Sequence, residues 1–322
     1  MKVGFIGLGN VGGKLAGSLI RNGFETVVHD LNRELRDPYE KRGASWANSP
    51  KAMAEICDVV ITCLPSPNAC SIVMEGEDGV IAGLSAGKVW MEMSTTDADE
   101  LKRIAQIVQS KDAYAVECPV SGGCHRADTG NISMFVGGDR AAFDKVLPLT
   151  TTLCRRVMHT GELGSASLLK VMTNYLATAN LLTCCEALIT MKAAGLDMAT
   201  TYEAIKISSG TSFVHETESQ LIMSGSRNVN FTMDLVQKDI GLFQKIAEDH
   251  GVPLEISPLM IDIISDGQRR LGERAQSDRI IERLEEATGL SVLADGFPSE
   301  LIDDEPEERG YEVFPKRPLM GS

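Results

Sequence analysis

Two residues in the middle of the chain combine useful side-chain chemistry with a spacing that places them together. Lys170 and Asn174 lie four positions apart in a stretch whose periodicity predicts a helix over 165–194, so both side chains project from one face, about one turn apart. Apolar neighbours predict a mostly buried helix, where a lysine is costly without a partner or an anion. Burial and nearby charge would tune its pKa for proton transfer. The alternative is a lysine that snorkels to the surface, and spacing alone leaves both open.

A glycine-rich turn offers a second kind of chemistry near the N-terminus. The motif Gly7-Leu8-Gly9-Asn10-Val11-Gly12 follows a predicted strand and opens a predicted helix. The first glycine permits a tight turn, the second lets a pyrophosphate approach the backbone, and the third lets helix and strand pack closely. Asp30 stands eighteen positions after Gly12, at the end of the next predicted strand. Its carboxylate suits the ribose hydroxyls of NAD and would repel the 2′-phosphate of NADP, although Arg33 nearby could meet that phosphate.

Short apolar strands that alternate with helical segments surround these residues in the first half of the chain. The predicted strands are Lys2–Ile6, Glu25–His29, Val59–Cys63, Val89–Met93, Ala113–Glu117 and Ile132–Val136, and the first helix covers Val11–Asn22. This alternation predicts a parallel sheet with helices on both faces. After Gly161 the helical patterns 165–194, 199–207, 215–223, 232–250 and 256–286 follow without a strand pattern.

The predicted fold class is therefore α/β, with an N-terminal doubly wound, Rossmann-type parallel sheet and a C-terminal all-α domain joined by a long helix. We place an NAD-binding domain at 1–163, a helical domain for substrate binding and dimerisation at 164–290, and an acidic C-terminal extension at 291–322. The extension contains the run Asp303-Asp304-Glu305-Pro306-Glu307-Glu308. Such a run is typical of a solvated arm rather than a core element.

Charge and composition exclude several classes of function. The 322 residues carry a formal net charge of −14, which argues against nonspecific binding to nucleic acid. No stretch approaches the roughly 18 consecutive apolar residues of a membrane span. Because the first predicted strand begins at once, without a signal-peptide pattern, we predict a cytoplasmic protein. The eight cysteines show neither metal-ligand spacing nor the setting of a disulfide framework, so no metal site is expected.

Four separated motifs resemble the β-hydroxyacid dehydrogenases, the family that contains 3-hydroxyisobutyrate dehydrogenase and tartronate semialdehyde reductase. The motifs are Val3–Gly12, Cys118–Gly123, Gly161–Gly164 leading to Lys170 and Asn174, and Lys238-Asp239. The resemblance covers about residues 1–290. It implies an NAD-dependent oxidoreductase that interconverts a small β-hydroxy acid and its semialdehyde or keto acid. It also implies a homodimer or homotetramer assembled through the helical domains.

The resemblance assigns roles to individual residues. Ser121, Gly122 and Gly123 would bind the substrate carboxylate through hydroxyl and backbone N–H groups. Lys170 would be the general acid/base, and Asn174 would orient the substrate or the lysine. The implied cofactor-binding residues are Gly7, Leu8, Gly9, Asn10, Val11, Gly12, Asp30, Leu64, Pro65, Asn68, Thr95 and Lys238.

Some residues depart from the family pattern. Ala166 replaces a glycine that most members carry, Thr173 replaces the first of two asparagines, and Cys118 replaces a small residue before the proline. His125 and Arg126 follow the substrate loop, so we hypothesise that the pair meets a second anionic group on the substrate. The simpler alternative is a solvent-facing Arg126 paired with Asp128.

Two further functions compete with a hydroxyacid dehydrogenase. A non-catalytic NAD(P)-binding sensor or assembly protein could keep the same fold, but the presence of Lys170, Ser121 and the glycine turn favours an enzyme. Within the superfamily, imine reductases typically lack the catalytic lysine, so Lys170 argues against that activity. A decarboxylating enzyme like 6-phosphogluconate dehydrogenase is disfavoured by the compact loop and the short helical half.

Overall fold

The computed structural model describes residues 1–315, which divide into two compact units. The first comprises Met1–Lys170 together with the chain from Asp303 onward, and the second comprises Val171–Ile302. The first is a Rossmann-type α/β unit and the second is helical, as the predicted fold class requires. In the described part of the chain, no helix combines the length and apolar character needed to cross a membrane.

The first unit is built on one sheet. Its strands are β1 Lys2–Ile6, β2 Glu25–His29, β3 Ser45–Trp46, β4 Val59–Thr62, β5 Val89–Glu92, β6 Tyr114–Glu117, β7 Val120–Ser121, β8 Ser133–Gly137, β9 Arg156–Gly161 and β10 Tyr311–Glu312. Their order is β10-β9-β8-β6-β5-β4-β1-β2-β3, with β7 paired to β8. The strands from β3 to β6 are parallel, whereas β8 is antiparallel to β6 and β7.

Side-chain alternation along β1 explains why this sheet is covered on both faces. Val3 and Phe5 lie in one apolar core and Ile6 lies in the core on the opposite face, all of them at most 2% exposed. Successive residues of a strand point to opposite faces, so an almost continuous apolar strand needs cover on each side. The covering helices are α1 Gly12–Arg21, α2 Arg36–Lys41, α3 Pro50–Ile56, α4 Pro67–Glu75, α5 Val80–Gly83, α6 Ala98–Gln109, α7 Gly123–Thr129 and α8 Arg140–Leu153.

The strand order creates a switch point that positions ligands. From β1 the chain continues to β2 on one side, whereas β4 lies on the other side of β1. In open α/β sheets, ligands bind beyond the carboxyl ends of the strands at such a point. The turn after β1 and the loop after β4, which begin at Gly7 and Cys63, meet there because the Cys63 N–H donates to the Ile6 carbonyl.

A helix of 29 residues, α9 Ser165–Ala193, begins in the first unit and continues into the second. The second unit then contains α10 Met198–Lys206, α11 Phe213–Ser224, α12 Met233–Asp249, α13 Ile256–Leu271 and α14 Glu282–Thr288, with a 3₁₀ helix at Ser277–Ile281. Its core is mostly aliphatic with several methionines, and it includes the fully buried Leu188, Ile222 and Ile240. The glycine predicted to end α9, Gly195, has a φ of +82°, as expected of a helix C-terminus.

The structure contradicts the helix prediction at one point and adds strands that the sequence did not predict. The predicted helix 256–286 is interrupted at Gly272, whose φ of +105° a helix cannot accommodate. Sequence patterns also miss β3, β7, β9 and β10. Three of these strands are only two residues long, and β9 mixes polar with apolar residues, so neither type carries a clear alternating pattern.

Most of the acidic run is exposed, as its composition predicts, but the run is bonded to the first unit rather than free as an arm. Residues up to Ile302 belong to the second unit, where the Ala294 N–H donates to the Met223 carbonyl at 3.0 Å. From Asp303 the chain joins the first unit and forms β10 along β9. The division between the two compact units falls between Lys170 and Val171, inside α9.

Candidate active site

The glycine turn between β1 and α1 is packed at two positions and open at one. A Cβ on Gly7, whose φ is +97°, would lie 2.3 Å from the Cys63 carbonyl oxygen, and one on Gly12 would lie 2.1 Å from the Gly7 carbonyl oxygen. At Gly9 nothing lies within 4 Å of that position. The first and third glycines are therefore required by backbone packing, whereas the second leaves space for a ligand. This arrangement fits a dinucleotide pyrophosphate.

Asp30 is fixed beside this turn. Its Oδ2 accepts a hydrogen bond of 2.7 Å from the Leu8 N–H, and its Oδ1 accepts one of 2.8 Å from the Asn32 N–H. Both bonds orient the carboxylate at the end of β2. Arg33 lies in the following 3₁₀ turn with an exposed side chain. The structure thus places Asp30, the predicted ribose ligand, against the glycine turn.

The loop after β4 contributes the other predicted cofactor contacts. Leu64 lies against the turn, with its Cδ2 3.2 Å from the position of a Cβ on Gly7. The Leu64 N–H donates to Ser94 Oγ at 2.8 Å, which ties this loop to the segment containing Thr95. Pro65 follows Leu64 directly, and Asn68 lies in the first turn of α4. These residues line the carboxyl ends of β4 and β5.

The predicted substrate loop has a backbone that favours glycine. Gly122 and Gly123 have φ values of +132° and +85°, and Ser121 ends β7 beside them. The side chains that follow the loop pack beneath it. Arg126 Cδ and His125 Cε1 lie 3.6 and 2.9 Å from the positions of Cβ atoms on Gly122 and Gly123, respectively.

The structure changes the interpretation of His125 and Arg126. Burial, followed by the positive charge of Arg126, lowers the pKa of His125 below its ordinary value, which disfavours a second cation beside the loop. Arg126 forms an ion pair of 3.5 Å with Glu305 of the C-terminal extension, a partner that the sequence patterns did not indicate. The neighbours of the loop therefore include the extension itself.

Lys170 is buried, which excludes the alternative of a lysine that snorkels to the surface. It lies in the second turn of α9 and is 8% exposed. Helix α9 follows Gly164, whose φ of +96° requires a glycine. Asn174 lies one turn further along the same helix, as its spacing predicts.

The first turn of α9 is held by Glu117, a residue whose role sequence reasoning missed. Glu117 Oε1 accepts hydrogen bonds from the N–H groups of Gly164 and Ala166, at 2.6 and 2.9 Å. Its Oε2 accepts from the Ser167 N–H at 3.0 Å and from Ser167 Oγ. One carboxyl group thus satisfies backbone donors that a helix start would otherwise leave unpaired. A buried acid at the end of an apolar strand was the signal that could have revealed it, because such a group needs several donors.

Two buried carboxyl groups lie side by side at the ends of neighbouring strands. Glu117 is in register with Glu92 of β5, and both are fully buried. Glu92 accepts from Thr62 Oγ1 at 2.7 Å and from the Ser94 N–H at 2.6 Å. Burial raises the pKa of each acid above its ordinary value, against the effect of its hydrogen bonds. Glu92 therefore orders the loop that carries Ser94, whereas Glu117 orders α9.

In the second unit, Asp239 joins two of the predicted site residues. Asn174 Nδ2 donates to Asp239 Oδ2 at 2.5 Å, and Lys238 Nζ lies 2.7 Å from Asp239 Oδ1. Asp239 is only 2% exposed. The residue therefore fixes the Asn174 amide so that its oxygen faces away from the carboxylate, and it holds the lysine head group. Sequence reasoning named Asp239 in a motif but gave it no role.

Two family models cover most of the chain. Residues 2–161 match the model described as the NAD binding domain of 6-phosphogluconate dehydrogenase. Residues 164–284 match the model described as NAD-binding of NADP-dependent 3-hydroxyisobutyrate dehydrogenase.

Individual relatives agree with these models. The 2-(hydroxymethyl)glutarate dehydrogenase of Eubacterium barkeri is 31% identical over 91% of this chain and 97% of its own length. The mitochondrial 3-hydroxyisobutyrate dehydrogenase of Rattus norvegicus is 30% identical over 78% of this chain and 77% of its own length. A solved 3-hydroxyisobutyrate dehydrogenase from Salmonella typhimurium shares the fold, with a TM-score of 0.81, 24% identity, and coverage of 88% of this chain and 99% of that one. Together, the two family models and these relatives show that the chain belongs to the NAD(P)-dependent β-hydroxyacid dehydrogenase family.

Proposed function

We propose that the protein is an NAD-dependent oxidoreductase that interconverts a small β-hydroxy acid and its semialdehyde or keto acid, with Lys170 as general acid/base. The observation that carries this proposal is the buried Lys170 on a helix whose start is fixed by Glu117. A non-catalytic relative would have no need to keep a lysine in so costly a position. Family membership supplies the reaction class.

The open position at Gly9, the N–H groups at the start of α1 and the carboxylate of Asp30 would hold the dinucleotide. When bound, the nicotinamide accepts or returns the hydride. We propose NAD rather than NADP, because the Asp30 carboxylate would repel a 2′-phosphate. One matching family model is described as NADP-dependent, so NADP is the competing outcome.

Lys170 would move the proton that accompanies the hydride. In the oxidation direction its neutral amine takes the hydroxyl proton of the substrate, and in the reduction direction its ammonium group donates a proton to the carbonyl oxygen. Its burial excludes most water, and exclusion of water strengthens the interaction of the ammonium group with a developing alkoxide. Asn174, oriented by Asp239, would position the substrate.

The relatives point to a more specific substrate class. The names 2-(hydroxymethyl)glutarate and 3-hydroxyisobutyrate describe acids that share one unit, a hydroxymethyl group on the carbon next to a carboxylate. We propose that this chain acts on acids of that class. The loop Ser121–Gly123 would bind the shared carboxylate through the serine hydroxyl and backbone N–H groups.

A substrate panel tests the proposal. Reduced-cofactor formation is measured with 3-hydroxypropionate, 3-hydroxyisobutyrate and 2-(hydroxymethyl)glutarate, each with NAD and with NADP, and with wild-type protein and the Lys170→Ala variant. We expect turnover with NAD that depends on Lys170. Absence of turnover with every acid, in protein that binds NAD, would refute the proposed activity and favour a sensor.

We also propose a homodimer or homotetramer. Leu168 and Leu176 of α9 are 37% and 50% exposed, and apolar side chains on the outside of a long helix are suited to a subunit interface. Light scattering at micromolar concentration tests this, and a monomer there would refute it.

A further inference from the structure

The C-terminal extension crosses the first unit on its way to the sheet edge. We call residues 303–308 the acidic strap. Beyond it, β10 pairs in parallel with β9, and the N–H groups of Gly310 and Val313 donate to the carbonyls of Thr151 and Val157, each at 2.7 Å. These backbone bonds anchor the far end of the strap at a fixed place.

The strap begins at the C-terminal end of α7. Asp303 Oδ2 accepts hydrogen bonds from Thr129 Oγ1 and, at 2.8 Å, from Asn131 Nδ2. The same Asn131 amide donates to the Glu305 carbonyl at 2.8 Å. Asn131 is fully buried. The strap therefore accepts both hydrogen bonds that the NH2 group of the Asn131 side chain donates, and water has no access to this group. Such a contact differs from a surface ion pair, which contributes little.

Ion pairs continue this attachment across the neighbouring helices. Glu305 pairs with Arg126 of α7 at 3.5 Å, and Glu307 pairs with Arg21 at the end of α1 at 3.2 Å. Glu307 also accepts a hydrogen bond of 3.0 Å from Asn22 Nδ2. The strap thus joins the carboxyl ends of α1 and α7, the two helices that begin at the glycine turn and at the substrate loop.

Two residues that the strap contacts, Asn131 and Arg126, lie next to or against the predicted substrate loop Ser121–Gly123. Arg126 Cδ and Ile132 Cγ1 lie 3.6 and 3.5 Å from the position of a Cβ on Gly122. Ile132 follows Asn131, and the next residue, Ser133, is in register with Ser121 of β7. A shift of Asn131 or Arg126 would therefore be transmitted directly to Ser121 and Gly122.

We propose that the acidic strap is a positioning element for the substrate carboxylate, acting through Asn131 and Arg126 on the loop Ser121–Gly123. This inference rests on the proposed dehydrogenase function of that loop. No residue of the strap is assigned a contact with substrate, so the strap affects how well the loop is placed rather than the chemistry itself. Loss of the strap contact should weaken substrate binding while the hydride-transfer step and cofactor binding persist.

The test compares two acidic residues of the same extension in the full-length protein. Asp303→Ala removes the acceptor at Asn131. Glu312→Gln removes an ion pair of 2.6 Å with Arg140 at the sheet edge, where strands β9 and β8 separate Glu312 from the loop. We expect Asp303→Ala to raise KM for the hydroxy acid about tenfold, with kcat and the Kd of NAD within about twofold of wild type. Glu312→Gln should leave all three constants unchanged, and Asp303→Asn, which retains one acceptor oxygen, should recover part of the loss.

Hydrogen exchange provides a readout that does not depend on activity. Amide exchange across residues 121–133 should be faster in Asp303→Ala than in wild type and unchanged in Glu312→Gln. An unchanged KM, or equal effects of the two variants, would overturn the inference while the proposed function stands. If wild-type protein turns over no hydroxy acid, the proposed function fails, and unchanged exchange in Asp303→Ala would then reject the strap as well.

Discussion

Replacing Glu117 by glutamine changes the start of helix α9 while preserving the shape of the side chain. The amide oxygen can take the place of Oε1 and keep the bonds from the N–H groups of Gly164 and Ala166. The amide nitrogen then faces the N–H of Ser167, which donated to Oε2 at 3.0 Å. The Ser167 hydroxyl can rotate and accept from this amide nitrogen. The Ser167 N–H cannot, because it is a donor, so it is left without a partner.

The effect on stability follows from two opposing contributions. A buried donor without an acceptor costs about 1–3 kcal/mol. Burial raises the pKa of Glu117, so the protein resists the ionised form, and the neutral amide relieves part of that cost. We therefore expect a net loss of about 1 kcal/mol, or roughly 2–4 °C in Tm. With a raised folded-state pKa, the wild type loses stability as pH rises above the ordinary glutamate value, so the deficit of the variant should shrink as pH increases.

The effect on catalysis should be larger than the effect on stability. Lys170 lies one turn beyond the bonds that Glu117 makes, and displacement of a reacting group by about 1 Å can cost roughly 100-fold in rate. Because only part of the first turn is released, we expect kcat to fall about tenfold, equivalent to about 1.4 kcal/mol in the barrier. The Kd of NAD should not change. Steady-state kinetics and cofactor titration measure these quantities.

The control is Asp197→Ala, which removes the carboxylate that caps α10 by accepting from the Thr200 N–H at 2.7 Å. That variant should lower the stability by about 1 kcal/mol, and with it Tm, without changing kcat. If Glu117→Gln keeps wild-type kcat at every pH, or if both variants lower kcat equally, the argument that Glu117 positions Lys170 is refuted.

Four further predictions concern the cofactor site and the second unit. Gly9→Ala should keep the wild-type Tm, since no atom lies within 4 Å of the added Cβ. The variant should bind NAD at least tenfold more weakly, as measured by fluorescence titration. Equal binding would show that the cofactor does not approach this backbone. Gly7→Ala should instead lower Tm, because its φ is +97° and its Cβ would collide with backbone. Asp30→Ala should raise the ratio of kcat/KM for NADP over NAD about tenfold, and an unchanged ratio would exclude Asp30 as the selector. Burial raises the pKa of Glu218 to about 8, so the stability of the wild type should fall as pH rises from the ordinary glutamate value to about 8. The Glu218→Gln variant should show a flatter dependence of Tm on pH, and parallel curves for the two proteins would contradict this assignment.

Local sequence patterns were sufficient for the framework of the cofactor site. The predicted strands Lys2–Ile6 and Glu25–His29 coincide with β1 and β2. Their apolar runs, the glycine turn and the helix that follows are encoded by neighbouring residues. Because the chemistry of this motif depends on consecutive elements, its spacing alone predicted the position of Asp30 beside the turn.

Contacts between distant residues were beyond such patterns. Glu117 meets the start of α9 across 47 positions or more, and Asp303 meets Asn131 across 172 positions. Composition predicts an exposed acidic run but does not show that Arg21 and Arg126 pair with it. Strand β10 was missed for a related reason, since its two residues become a strand only by pairing with β9.

The role of Lys170 is tested most directly by removing and then replacing its amine. The rate of hydride transfer is measured in a single turnover for wild type and Lys170→Ala, with and without added primary amines. The account predicts a loss of about 100-fold or more, an unchanged Kd for NAD, and partial rescue that increases with the concentration of free amine. A loss of less than about tenfold, without rescue, would contradict the assignment of Lys170 as the acid/base group.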